Sequence, residues 1–211
     1  MKPSRLNFIV AALLSVSFVI GLGFSALTPV FPYLILALKG LIHSLPELTL
    51  GPIRAHEAAI EFSVLTAAFM LARAPTAPVA GALSDMIGRK KTMLTGMILY
   101  FVTSLGFLAC NDIWLLAVFR GIHSAASGLV WPVAEAYLAD VTPRWSRGKV
   151  LSAYVAAQGI AEIAGPAIGV GIYRLYVKLF GAIDLIATLK SPIAFLALTS
   201  VISLAILVFL P

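Results

Sequence analysis

The chain has 211 residues, 61% of them hydrophobic and only 11% charged, with a formal net charge of +6. A soluble domain is about half apolar and about a quarter charged, so a water-exposed globule is excluded and a lipid bilayer is the expected solvent. The cations sit in short loops between apolar runs, with no basic stripe interleaved with aromatics, which argues against nucleic acid; the single cysteine, Cys110, excludes an intrachain disulfide and a cysteine metal cluster.

A helix needs about 20 apolar residues to cross the hydrocarbon. Six runs qualify, at residues 6–38, 58–83, 93–110, 113–139, 150–173 and 192–210. They predict an all-α integral membrane fold in one domain over residues 1–211. The first run is long enough to tilt or protrude, and Pro29 and Pro32 are expected to kink it. It follows the basic "MKPSR" but far exceeds the apolar region of a signal peptide, and no small-x-small cleavage site is evident. An even number of crossings puts both termini on one side. Lys2, Arg5, Arg89, Lys90, Lys91, Arg144, Arg147 and Lys149 fall on that side, against Lys39, Arg54, Arg174, Lys178 and Lys190 on the other. The excess predicts cytoplasmic termini. "SALTPV" (25–30) in the first span echoes "GLVWPV" (128–133) in the fourth, which fits two three-helix repeats.

The second span carries Glu61 near its outer end and Arg73 within, which must face protein or water, with Glu135 a conceivable counter-charge. The turn after it reads "GALSDMIGRKKTM" (81–93). Gly81 allows backbones to approach closely, Gly88 allows positive φ, and Arg89, Lys90 and Lys91 suit lipid headgroups. Asp85, an acid at a membrane boundary, has Arg89 one turn away as a partner.

The fourth span places Arg120, Ser124, Ser127, Trp131 and Glu135 at steps of four, three, four and four, on one helical face. A polar face in a membrane needs water or partners, and this one is expected to line a central cavity. Two readings stand for each residue. Arg120 is either a proton-coupling or anion-holding cation, or the permanent partner of a neighbouring helix. Trp131 either stacks on a cationic or aromatic substrate or sits in an interfacial belt. His123, at the stripe's edge, is either a proton handler or a packing residue. The fifth span carries Gln158, Glu162, Gly165 and Gly169, with Pro166 bending it. Glu162, near mid-membrane, is a proton-carrier candidate with Arg120 as a possible partner, or a permanently paired packing acid. Residues 174–190 mix cations with Leu, Ile and Phe and read as a surface-lying helix.

The turn resembles the signature G-x-L-x-D-x-x-G-R-[KR] of the major facilitator superfamily, matched by Gly81, Leu83, Asp85, Gly88, Arg89 and Lys90, with Met86 replacing the usual basic residue. "LGFSALTPVFP" (22–32), with Gly23, Pro29 and Pro32, resembles the first-helix pattern of the twelve-helix drug:proton antiporters. "RGIHSAASG" (120–128) resembles R-x-x-Q-G, with His123 for Gln. "AEIAGPAIGVG" (161–171) resembles the fifth-helix antiporter pattern through Gly165, Pro166 and Gly169. "ADVTPRWSRGK" (139–149), with Asp140 and Arg147, is similar to the family's turn after helix four.

The resemblance spans the chain but only the first half of the family's fold. It implies a latch of Gly81, Asp85, Gly88, Arg89, Lys90, Asp140 and Arg147, and an interface between halves at Gly165, Pro166 and Gly169. It implies proton-coupled export of small organic molecules across the plasma membrane. The partners are then a substrate, protons, lipid and a second six-helix half, as a second copy or a separate chain. No cofactor or metal is expected. G-x4-GK-[ST], H-E-x-x-H and G-x-S-x-G are absent, which argues against ATP use and against an enzyme. A non-transporting scaffold or truncated half-transporter, and a carrier of sugars, metabolites or organic anions, are the competing expectations.

Overall fold

A computed structural model describes residues 3–46, 55–181 and 184–210. Lys2, Arg54 and Pro211 lie outside the described residues. Among these, every regular element is a helix: α1 (Pro3–Ser25), α2 (Phe31–Leu38), α3 (Ala55–Ile87), α4 (Arg89–Ala109), α5 (Ile113–Val141), α6 (Arg144–Phe180) and α7 (Leu185–Val208). Six are long and apolar enough to cross a membrane: α1 and α3 to α7.

The first predicted span is kinked as expected, at a turn over residues 26–30 that divides it into α1 and α2. Pro29 has no N–H to offer, and the Thr28 and Val30 amides turn to the carbonyls three residues back, Ser25 and Leu27. α2 restarts with Pro32 in its first turn, where a missing N–H costs nothing. The other spans are longer than predicted, although α4 and α7 end one and two residues short of their predicted ends. α6 has 37 residues, a length of about 55 Å, so its ends project beyond about 30 Å of hydrocarbon. Residues 174–180 belong to it. Among the described residues no separate surface helix occurs there: Gly181, at φ 73°, ends α6, and Asp184 caps the N-terminus of α7 through the Ile186 and Ala187 amides. Exposed Trp145 starts α6 at the basic end and exposed Trp114 starts α5 at the other, the places where indoles meet lipid headgroups.

The core has two parts. At the basic end Leu13, Met93, Met97, Leu138, Tyr154 and Leu207 interlock; at the other, Leu27, Phe31, Leu34, Phe107, Leu116 and Leu189. α5 packs against α3 and α4, α1 against α6 and α7, and α4 against α7. α1 and α6 meet through small residues. A methyl group at Gly165 would run into the Ser25 side chain, and one at Gly169 into the Ala26 carbonyl. The Ser25 hydroxyl lies 3.0 Å from the Ala161 carbonyl across this seam. The close approach expected of Gly165 and Gly169 towards another half is therefore made to α1 of the same chain. Gly81, expected to serve the same purpose, has open space around it. In the apolar windows of α3 and α6 only 17% of residues are buried, against 39–50% in the other spans, so these two helices turn most of their surface outward.

Candidate functional site

At the basic end, Arg89 opens α4 directly after Gly88, which turns the chain at φ 98°. Its guanidinium lies 3.0 Å from Asp85 on α3 and 3.2 Å from Asp140 on α5, and also donates to the Ser84 hydroxyl. One side chain thus ties three helices. Both carboxylates are more than half exposed, so each pair is worth no more than about 1 kcal/mol. Contacts this weak break and re-form readily. Lys90 reaches the last carbonyls of the bundle, 2.8 Å from that of Val208 and in contact with that of Leu210. Arg147 is half-buried on α6, and its Nε has no hydrogen-bond partner among the described residues. Met86, where the signature has a cation, is 82% exposed.

The α5 stripe divides. Ser124 and Ser127 are buried, with the Ser124 hydroxyl donating to the Phe69 carbonyl. Trp131 is 5% exposed, and its indole N–H donates to the Tyr100 hydroxyl at 3.1 Å. Glu135 is exposed. Two residues of the stripe, Ser127 and Trp131, line a mid-span cleft as expected, while Ser124 is turned into the α3–α5 contact, where a neighbouring helix satisfies its hydroxyl.

Arg120 has no carboxylate within ion-pair distance among the described residues. Its guanidinium lies 4.9 Å from the ring centre of Phe24, 5.0 Å from Phe31 and 4.7 Å from Phe69. His123 is completely buried, with its Nδ1 3.5 Å from Arg120. Arginine only donates, so Nδ1 accepts and Nε2 carries the proton; Nε2 has no partner and the ring is enclosed by those of Phe24, Phe69, Tyr100 and Phe107. The expected pairing of Arg120 with Glu162 is not formed, since Glu162 accepts from Gln158 at 3.1 Å. Arg73 and Glu135 form no ion pair either.

A cleft lies at mid-length of the spans. Phe24, Phe69, Tyr100 and Trp131 supply aromatic walls, Ser127 a hydroxyl, α3 the cation Arg73, and α6 the polar pair Gln158 and Glu162. The cation and acid stand on α3 and α6, the two outward-turned helices. Tyr100 and Phe69 escaped the sequence reading because neither falls in a motif, and only tertiary packing brings them together.

Two further ion contacts were missed. Lys39, after α2, lies 2.6 Å from Glu61 on α3. Lys190, expected in an outer loop, is 5% exposed. Its ammonium donates to the carbonyls of Leu108 (2.9 Å) and Cys110 (2.5 Å) and to Asn111 Oδ1 (2.7 Å), so it caps the negative end of α4. No group of three His, Cys, Asp or Glu side chains suited to a metal occurs among the described residues.

Six membrane-length helices, a charged cluster joining three of them at one end and a mid-span polar cleft define a polytopic α-helical membrane protein. The Major Facilitator Superfamily profile matches residues 13–211, and the chain belongs to that superfamily of transporters. It is 30% identical over 105 residues to the multidrug transporter protein MdtP of Bacillus subtilis, covering 50% of this chain and 19% of that protein. It is 32% identical over 109 residues to multidrug resistance protein 3 of the same organism, covering 52% and 21%. With the quinolone resistance protein NorA of Staphylococcus aureus it shares 30% over 109 residues, 52% of this chain and 28% of NorA. The crystal structure of the human organic anion transporter MFSD10 (TETRAN) superposes with a TM-score of 0.75 at 18% identity, over 100% of this chain and 48% of that one. The fold is therefore one half of the major facilitator architecture, and the matches span about a fifth to just over a quarter of the curated relatives' lengths.

Proposed function

We propose that the chain is one half of a secondary active transporter that exports small organic, drug-like molecules in exchange for protons by alternating access. It sits in the plasma membrane with both termini cytoplasmic, its six spans acting as one body. A second six-helix body, another copy or a separate chain, covers the outward faces of α3 and α6. The observation that carries this reading is the mid-span cleft, which joins four aromatic rings to Arg73 and Glu162. Within this body alone the cleft has room for only about 10 Å³, one water's worth, so the substrate site is completed by the second body, to which these rings present apolar aromatic surface; an acid within a membrane span marks a proton path. Glu162 is the proposed proton carrier. The Asp85–Arg89–Asp140 cluster is the proposed latch, biasing which side of the membrane the cleft faces. The two similar multidrug proteins of Bacillus subtilis support the substrate class.

The test is accumulation of a fluorescent cationic dye by vesicles reconstituted with the full chain and given an acidic lumen. The native chain accumulates dye, collapse of the gradient abolishes accumulation, and Glu162→Gln retains dye binding while losing the response to the gradient. A Glu162→Gln variant with native gradient-driven uptake removes that residue from coupling. Absence of native uptake at every protein density excludes a pathway built from two copies and leaves a separate second chain or a non-transporting scaffold.

A further inference from the structure

The rings around Arg120 come from opposite sides of a discontinuity. Phe24 lies in the last turn of α1 and Phe31 opens α2. Residues 26–30 between them form turns, and Pro29 leaves the hydrogen-bond ladder interrupted. The third ring, Phe69, is on α3, and the cation itself is on α5. All three ring centres fall within 4.7–5.0 Å of the guanidinium carbon, inside the range where a cation is held by a ring face. His123, one turn along α5, accepts from the same guanidinium and fixes its azimuth. Among the described residues no carboxylate lies within ion-pair distance of it.

We propose that Arg120 is a positioning residue that clamps the kink in the first span: by holding Phe24 and Phe31 on one cation, it sets the angle between α1 and α2 and ties that angle to α3 and α5. The turn keeps bonds from the amides of residues 26, 27, 28, 30 and 31 and lacks only the one Pro29 cannot donate, so the two pieces meet at a proline kink, and a contact that spans the kink fixes its angle. A charge gripping both pieces makes that bend a property of α5. Phe24 also walls the mid-span cleft, so the grip carries the position of α5 to the cleft. This last link rests on the transport reading; the clamp does not.

The test replaces Phe31, and separately Phe24, with mono-, di- and trifluorophenylalanine, which keep the ring's shape while draining its face of negative charge. The readout is the thermal midpoint of the full chain in detergent. In the native chain the midpoint falls stepwise with fluorine number, by about 2–4 °C at the trifluoro ring. In an Arg120→Met background the same series is flat. A midpoint that ignores fluorine in the native chain, or falls equally in both backgrounds, overturns the clamp. If Arg120→Met does not fold, Arg120→Lys, which keeps a charge without the planar fork, retains the fluorine dependence, and loss of that dependence with lysine overturns the proposal. A spin-label pair at Asn7 and Leu38, with Cys110 replaced by Ala, reads the angle directly. Trifluoro substitution at Phe31 broadens the distance distribution if the clamp exists and leaves it unchanged if it does not. None of these readouts involves transport, so a vesicle assay that fails while the fluorine series succeeds removes the transport reading alone.

Discussion

Gly169 is the position where the packing argument is most exposed to test. Its missing side chain lets α6 lie on the Ala26 carbonyl at the end of α1. A methyl group there meets main chain, which cannot swing away as a flexible side chain would, so the helices must part. Overpacking of this kind costs about 1–3 kcal/mol. Parting the seam also strains the contact of Ser25 with the Ala161 carbonyl, worth about 1 kcal/mol. The helix-interior preference for alanine, about 0.5–1 kcal/mol, offsets that second cost, and with about 2–4 °C of thermal midpoint per kcal/mol for a chain of this size, Gly169→Ala should lower the midpoint by about 2–12 °C. The same helix supplies its own controls. Gly159 and Gly171 have nothing within 4 Å of an added methyl, and alanine in a helix interior is favoured over glycine by about 0.5–1 kcal/mol. Gly159→Ala and Gly171→Ala should therefore leave the midpoint unchanged or raise it. The assay is thermal unfolding in one detergent, followed through tryptophan fluorescence. A Gly169→Ala chain as stable as Gly171→Ala would refute the close α1–α6 seam.

Other expectations follow from single contacts. Arg89→Ala and Asp140→Asn should each cost little, and the double variant less than their sum, with a coupling of about 1 kcal/mol or less in a double-mutant cycle because both groups are partly exposed. Lys190→Met should lower the midpoint, since three acceptors at the end of α4 lose their donor, while Lys190→Arg keeps part of the stability. Trp131→Phe should cost about 1 kcal/mol through the lost bond to Tyr100, and the cost should shrink in a Tyr100→Phe background. Double electron–electron resonance from Asp85 to Asp140, labelled as cysteines in place of each acid with Cys110 changed to Ala, should place both labels at one end of the bundle.

Local order was largely legible in the chain. Hydropathy alone delimits six spans, because crossing hydrocarbon demands an uninterrupted apolar run, and the Gly88 turn follows from a residue that tolerates positive φ. The latch pair Asp85–Arg89 follows from one helical turn of spacing, and Asp140 joins through motif resemblance. What the sequence hid was direction. The α5 stripe has the period of a cavity face, yet Ser124 and Trp131 spend their donors on Phe69 and Tyr100 of other helices, and no periodicity within one helix reveals what lies opposite. Arg120 and Glu162 looked like partners by depth, but the first is gripped by rings and the second by Gln158. Lys190 was misread because a cation before an apolar run suits a loop as well as it suits the carbonyl end of a distant helix. Gly165 and Gly169 announced a close helix contact without saying with which helix.

The account stands on alternating access through the mid-span cleft, and counterflow measures it directly. Vesicles reconstituted with the full chain are loaded with unlabelled dye and diluted into a trace of labelled dye, with no pH gradient. A carrier returns its site faster when that site is filled, so labelled dye should accumulate transiently above its outside concentration, and only in loaded vesicles. Equal entry into loaded and empty vesicles would contradict the account, and none into either would exclude two copies of this chain as the pathway.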